Sequence, residues 1–190
     1  MSQEIEIEFK NLLVKEEYER LLTALPFEQV EQVRQVNHYF ETADFQLKKR
    51  GAALRIREKN GSYTLTLKEP HPDGLLETHS PLTNEDAEKW MTGLEQVGND
   101  VLARLHSMDI DVKELNYAGA LTTVRKELEL DEVLVVLDYS TYHGTEDFEL
   151  ELEASERSVG EKAFHKLLTE HEIPERETPN KIQRFFSKKP

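Results

Sequence analysis

The chain has 190 residues, with 38 acidic against 24 basic, a formal net charge of -14 and no cysteine. That balance argues against general binding of nucleic acid or an anionic membrane, because the field of the whole chain repels phosphate backbones. The missing thiol excludes a disulfide framework, a thiolate metal site and a cysteine nucleophile. At 37% hydrophobic residues the chain can fill the core of a single domain, read here as residues 1–190. No signal-peptide run and no stretch of bilayer length is present, so a cytoplasmic protein is expected.

The first element is EIEIEFK at 4–10, where Ile5, Ile7 and Phe9 alternate with Glu4, Glu6, Glu8 and Lys10. This is a strand with one apolar and one charged face. Three like charges on one face imply either a solvated edge or something cationic set against them. Leu13, Tyr18, Leu21, Leu22 and Leu25 then predict a helix over about 15–25, ended by Pro26. QVRQVNHYFET reads as extended, and DFQLKKRG as a short polar turn or helical loop closed by Gly51. ALRIREKNG predicts a strand that turns back at Asn60-Gly61 into SYTLTLKEP, which Pro70 stops. GLLETHSPL is a further strand.

The middle is helical. Thr83 or Asn84 caps one helix, and a second is expected over about 98–107 with Val101, Leu102 and Leu105 inward. TTVRKELEL, VLVVLDYSTYHG and DFELELEAS follow as a meander, then a helix over about 159–171 and a short basic helix or arm in TPNKIQRFFSKK. Antiparallel strands with appended helices make an α+β pattern.

Strand after strand sets charge against apolar residues. Leu54 and Ile56 oppose Arg55, Arg57 and Lys59; Leu65 and Leu67 oppose Thr64, Thr66 and Lys68. Val124, Leu128 and Leu130 oppose Arg125, Glu127 and Glu129, while Phe148, Leu150 and Leu152 oppose Glu149, Glu151 and Glu153. Two architectures satisfy this: an open sheet with a solvated charged face, or a sheet curled so that the charged faces line a channel. Arginines two residues apart suit the non-bridging oxygens of a phosphate chain. Paired carboxylates without cysteine or a ligand-spaced histidine pair suit a hard cation, Mg²⁺ or Mn²⁺. A polyphosphate needs both sets at once.

On these residues the chain resembles the CYTH superfamily, the triphosphate tunnel metalloenzymes. The Glu-x-Glu-x-Lys signature is EIEFK at 6–10, and the match continues through LRIR at 54–57, TLTLK at 64–68, TTVRKE, VLD ending at Asp138, ELELE at 149–153 and TPNKIQRF. It spans nearly the whole chain and is nearest the small bacterial single-domain members. The resemblance implies a closed or nearly closed eight-stranded antiparallel β-barrel with a charged lumen and flanking helices. It also implies a small triphosphate-containing substrate held with divalent metal; the charge balance, not the resemblance, gives the expectation of no nucleic acid or membrane partner. A monomer or weak homodimer is expected.

Carried over from the motifs, Glu6 and Glu8 hold metal, together with Asp138, Glu149 and Glu151; Glu153 shares that face and replaces either of the last two if the alignment is shifted by one pair. Lys10, Arg55, Arg57, Lys68 and Arg125 grip phosphate, with Lys59 beside them at the hairpin end. Asp138 ends an apolar run, so its face is not fixed by parity. Lys181 and Arg184 close one tunnel mouth, or else Ile182, Phe185 and Phe186 dock the tail and leave both charges in water. Glu4 lies one step before the signature, Glu127 and Glu129 balance the arginines, and Lys48, Lys49 and Arg50 form a basic rim or a solvated loop. The seven histidines make no ligand set. The implied reaction is divalent-metal-dependent hydrolysis of a terminal phosphoanhydride, with inorganic triphosphate, thiamine triphosphate or a nucleoside triphosphate as substrate. The alternatives are class IV-type adenylate cyclase chemistry and a non-catalytic triphosphate- or polyphosphate-binding module.

Overall fold

The computed structural model describes residues 2–93 and 100–189. Among these, nine strands run in one antiparallel hydrogen-bonded order, β1-β6-β5-β4-β3-β7-β8-β9-β2. Eight strands were expected. The ninth arises because EIEIEFK is divided at Ile7 into β1 (Ser2–Glu6) and β2 (Glu8–Leu13). These two stand at opposite ends of the order although one residue separates them in the chain.

The chain divides into two compact units, Met1–Ile5 with Gln35–Leu121, and Glu6–Arg34 with Thr122–Pro190. The first unit contains β3 (Val33–Thr42, from Gln35 on), α2 (Gln46–Lys49), β4 (Ala53–Lys59), β5 (Ser62–His71) and β6 (Gly74–Leu82). The helices α3 (Asn84–Thr92) and α4 (Asp100–Ser107) follow; residues 98 and 99 of the expected second helix lie outside the described residues. Asn60 and Gly61, with φ of 52° and 74°, make the left-handed turn expected between β4 and β5. Thr83 caps α3 by accepting from the Asp86 amide at 3.1 Å, and Gly93 ends it with φ of 74°. The apolar face of β4 and β5 buries Leu54, Ile56, Leu65 and Leu67 against Trp90, Val101 and Leu105. β5 runs on through Pro70. Its pairing with β4 ends at Ala53↔Lys68 while that with β6 continues to His71↔Gly74, so Pro70 occupies an edge where its missing N–H costs little.

The second unit contains β2, α1 (Lys15–Ala24), β8 (Val133–Tyr142), β9 (Thr145–Ala154), α5 (Arg157–Glu170) and α6 (Lys181–Ser187). β7 (Leu115–Leu130) contributes Thr122–Leu130 here; it begins seven residues before the expected TTVRKELEL because Ala118, Gly119 and Ala120 dilute the apolar alternation. The apolar faces of β2, β8 and β9 bury Leu13, Leu137, Leu150 and Leu152 beneath Leu21 of α1 and Phe164 of α5. The outer edge of β2 is covered by residues 174–178. Asn11 donates to Pro174 O at 3.1 Å and accepts from Arg176 N at 2.6 Å, and Leu12 N donates to Thr178 Oγ1 at 2.9 Å. Arg176 also clamps Glu17 of α1 with two bonds of 2.8 Å. This strap satisfies an otherwise open strand edge and delivers the chain to α6. No helix among the described residues is long and apolar enough to cross a membrane.

Candidate functional site

In the second unit the ladder aligns charged residues in rows. Arg125 pairs with Asp138, Asp138 with Glu149, and Glu149 with Leu12. The next row is Glu127, Val136, Glu151 and Lys10, and the one after it Glu129, Leu134, Glu153 and Glu8. Partners directly across a ladder share a face, so one side of this sheet carries all of these residues. Asp138 is thereby placed on the charged side, together with the apolar Val136 that disguised it.

α6 closes over this face. Asn180 and Gln183 form its capping box, and Phe185 is fully buried with its ring 4.4 Å from that of His143. Lys181 Nζ lies 2.8 Å from Asp138, 2.9 Å from Glu149 and 2.5 Å from Glu151. Arg125 donates to both oxygens of Asp138 at 2.8 and 2.6 Å and to Glu151 at 2.6 Å. Arg184 donates to Asp147 at 2.9 Å, and to Glu149. The tail therefore docks through Phe185 while both of its charges stay on the protein, so the reading that leaves them in water does not hold. Glu127 is 3.7 Å from Arg125, the balancing role expected of it, and Lys10 sits on Glu8 at 2.5 Å.

Burial sets the electrostatics. It pushes Glu149 up to about 7, with the neighbouring Glu151 adding to it against Lys181 and Arg184. For Glu151 burial also favours the neutral acid, but Lys181 and Arg125 outweigh it and hold the carboxyl well below its usual range. Asp138 is lowered in the same way, burial being overcome by Lys181 and then Arg125. Burial works against the charge on Lys181, yet the three carboxylates raise its proton affinity above that of an ordinary lysine.

In the first unit Arg55 pairs with Thr66 and Thr66 with His79, while Lys68 pairs with Ala53 on one side and Glu77 on the other. Arg55, Arg57 and Lys68 thus share a face with Glu77 and His79, and Lys59 follows at the hairpin end. Arg57 donates to Asn37 at 3.0 Å; Lys68 is ion-paired with Glu77, and Arg55 lies 3.9 Å from the same carboxylate. Glu4, Glu77 and His79 bring their ligand atoms within 4.8 Å of one another, a donor set able to coordinate a divalent metal. His79 is oriented by Thr66, 2.9 Å from its Nδ1. Sequence reading missed Glu77 and gave His79 no ligand role, because the polar Thr78 and Ser80 interrupt the apolar face that would set them in contrast. Lys48 and Lys49 are exposed on α2, and Arg50 donates to the Gln46 carbonyl at 3.1 Å, which fits the solvated segment rather than a basic rim.

The carboxylate geometry fits a hard cation. Three oxygens from Asp138, Glu149 and Glu151 converge on one point, and that point already holds a positive charge.

Compared with known proteins, residues 4–186 match the CYTH domain. The chain belongs to the CYTH-domain family. A relative from Bacillus subtilis (strain 168), named "Putative triphosphatase YjbK", is 48% identical over 189 residues, covering 100% of this chain and 98% of the relative. A crystal structure from Bacillus halodurans, described as "a putative adenylate cyclase", is 41% identical with a TM-score of 0.94, covering 98% of this chain and 100% of that one. HpAC1 from Hippeastrum, 24% identical with a TM-score of 0.79 and 97% of each chain covered, shares the fold of this CYTH chain.

Proposed function

We propose that this CYTH protein hydrolyses the terminal phosphoanhydride of a triphosphate with Mg²⁺ or Mn²⁺. The observation that carries the reading is the convergence of Asp138, Glu149 and Glu151 on one cation position beside Arg125. The name of the Bacillus subtilis relative points the same way. Glu6 and Glu8 complete the ligand set by motif, with Glu153 in register beside Glu8. Bound metal supplies Lewis-acid charge for the phosphoanhydride. Arg55, Arg57 and Lys68, presented on one face of the first unit, bind the phosphate oxygens and neutralise the charge that shifts in the transition state. Lys10, Lys59, Arg125, Lys181 and Arg184 extend the basic complement. A carboxylate of the acidic set accepts the proton of the attacking water, and no serine, cysteine or histidine nucleophile is required. We read both units as parts of one domain and the protein as cytoplasmic, monomeric or weakly dimeric.

The description of the Bacillus halodurans relative favours a second reading, cyclisation of ATP. A parallel screen of inorganic triphosphate, thiamine triphosphate, ATP and GTP with each metal separates the two. Phosphate release supports the hydrolase; pyrophosphate with cyclic AMP supports the cyclase. Affinity without turnover leaves a binding module and overturns both.

A further inference from the structure

Lys181 Nζ occupies the point at which Asp138 Oδ2, Glu149 Oε1 and Glu151 Oε1 converge, 2.5–2.9 Å from each. A divalent ion taking the same oxygens stands about 2.0–2.6 Å from them, so ion and ammonium cannot share the position. Two cations at such separation also repel strongly where burial limits screening. We infer that Lys181 is a built-in counter-ion held at the metal position of the free protein, and that a divalent cation binds there only when this side chain withdraws.

This inference rests on the proposed assignment of these carboxylates to metal. The surrounding structure allows the lysine to leave and holds everything else. Lys181 is the first residue of α6. The rest of that helix is anchored by buried Phe185 and by Arg184, which donates to Asp147 at 2.9 Å. The lysine stem can therefore swing while the helix remains docked. Arg125 is placed differently: it is 8% exposed, bidentate on Asp138 and bonded to Glu151, on a strand that cannot retract. A point charge on a flexible stem suits a displaceable counter-ion, and a planar fork suits a fixed one. Without the lysine the acidic face would bring Asp138, Glu149 and Glu151 together against Arg125 and Arg184 alone, a costly arrangement for a protein awaiting its metal.

The test is Mn²⁺ binding to the full chain by titration calorimetry, with no phosphate compound present, for wild type, Lys181→Gln, Lys181→Arg and Glu151→Gln. If the withdrawn state is at most about a tenth of the free protein, Lys181→Gln binds Mn²⁺ at least about tenfold more tightly, and Lys181→Arg, whose fork is harder to displace, binds more weakly than wild type. Glu151→Gln binds weakly. Unchanged or weaker affinity in Lys181→Gln, with Glu151→Gln still impaired, overturns the counter-ion and leaves the metal assignment standing. Full affinity in Glu151→Gln overturns the metal assignment and the inference with it. A measurement on wild type avoids any folding defect: acylation of Lys181 by an amine-specific reagent, followed by mass spectrometry, should accelerate when Mn²⁺ is added. A rate indifferent to Mn²⁺ contradicts the inference.

Discussion

Glu149 and Glu151 stand two residues apart on β9, face the same way and touch the same lysine, yet they should respond oppositely to removal of charge. Glu151 is the fully ionised member, holding Arg125 at 2.6 Å and Lys181 at 2.5 Å. Glu151→Gln leaves two buried cations short of an anion, a class of change that costs about 3–5 kcal/mol. Asp138 still bridges both cations, so the lower end, about 3 kcal/mol, is expected. For a chain of this size that is a fall in Tm of roughly 6–12 °C. Glu149 is pushed up to about 7, and at pH 4.5 it is neutral in the fold with little ionisation yet gained on unfolding, so Glu149→Gln replaces one neutral group by another and should change stability by less than about 1 kcal/mol there. The wild type has its own signature. A carboxyl raised from 4.5 to about 7 in the fold contributes stability that is fully present below pH 4.5 and lost as pH rises through 7. The loss is about 3 kcal/mol and should vanish in Glu149→Gln. Urea unfolding at pH 4.5, 6 and 8 with a chelator present reads all three quantities. An equal loss for both variants at pH 4.5, or a pH slope that survives in Glu149→Gln, refutes this division of charge.

Gly160→Ala should destabilise the protein by about 1 kcal/mol in urea: the new Cβ would stand 2.5 Å from the Phe9 ring and 2.9 Å from Ala154 Cβ, and overpacking outweighs the helix propensity gained. A higher Tm would contradict this. Arg55→Gln should lower kcat/KM for triphosphate by about a hundredfold with thermal stability close to wild type, measured by phosphate release and calorimetry. Glu17 is held below its usual range chiefly by its hydrogen bond from Arg176, so its stabilisation is present above pH 4.5 and lost as pH falls through the depressed value. Arg176→Gln should remove that acid-limb dependence, as seen in unfolding curves between pH 3 and 6.

The faces of the strands were legible because polar and apolar residues alternate without exception in LRIR, TLTLK and ELELE. Register was not. Asp138 follows a run of apolar residues in which Val136 faces the charged side and Leu137 the core, and only the pairing Arg125↔Asp138↔Glu149 separates them. The division at Ile7 leaves no mark, since EIEIEFK carries neither glycine nor proline and alternates through the break. Glu77 and His79 lie on a strand whose opposite side is interrupted by the polar Thr78 and Ser80. Lys181 and Arg184 were recognised as tail cations, but their partners sit some 30 residues upstream and are reached only because the strap over β2 fixes where α6 begins. The question raised by the first strand has a local answer for Glu8, which carries Lys10 against it.

The most direct test is phosphate release from inorganic triphosphate across a Mn²⁺ titration, for wild type and Glu6→Gln side by side. Wild type should turn over only with metal, and the variant should lose at least about a hundredfold in rate. Release that ignores Mn²⁺, or that continues at the wild-type rate without the Glu6 carboxylate, would contradict the account.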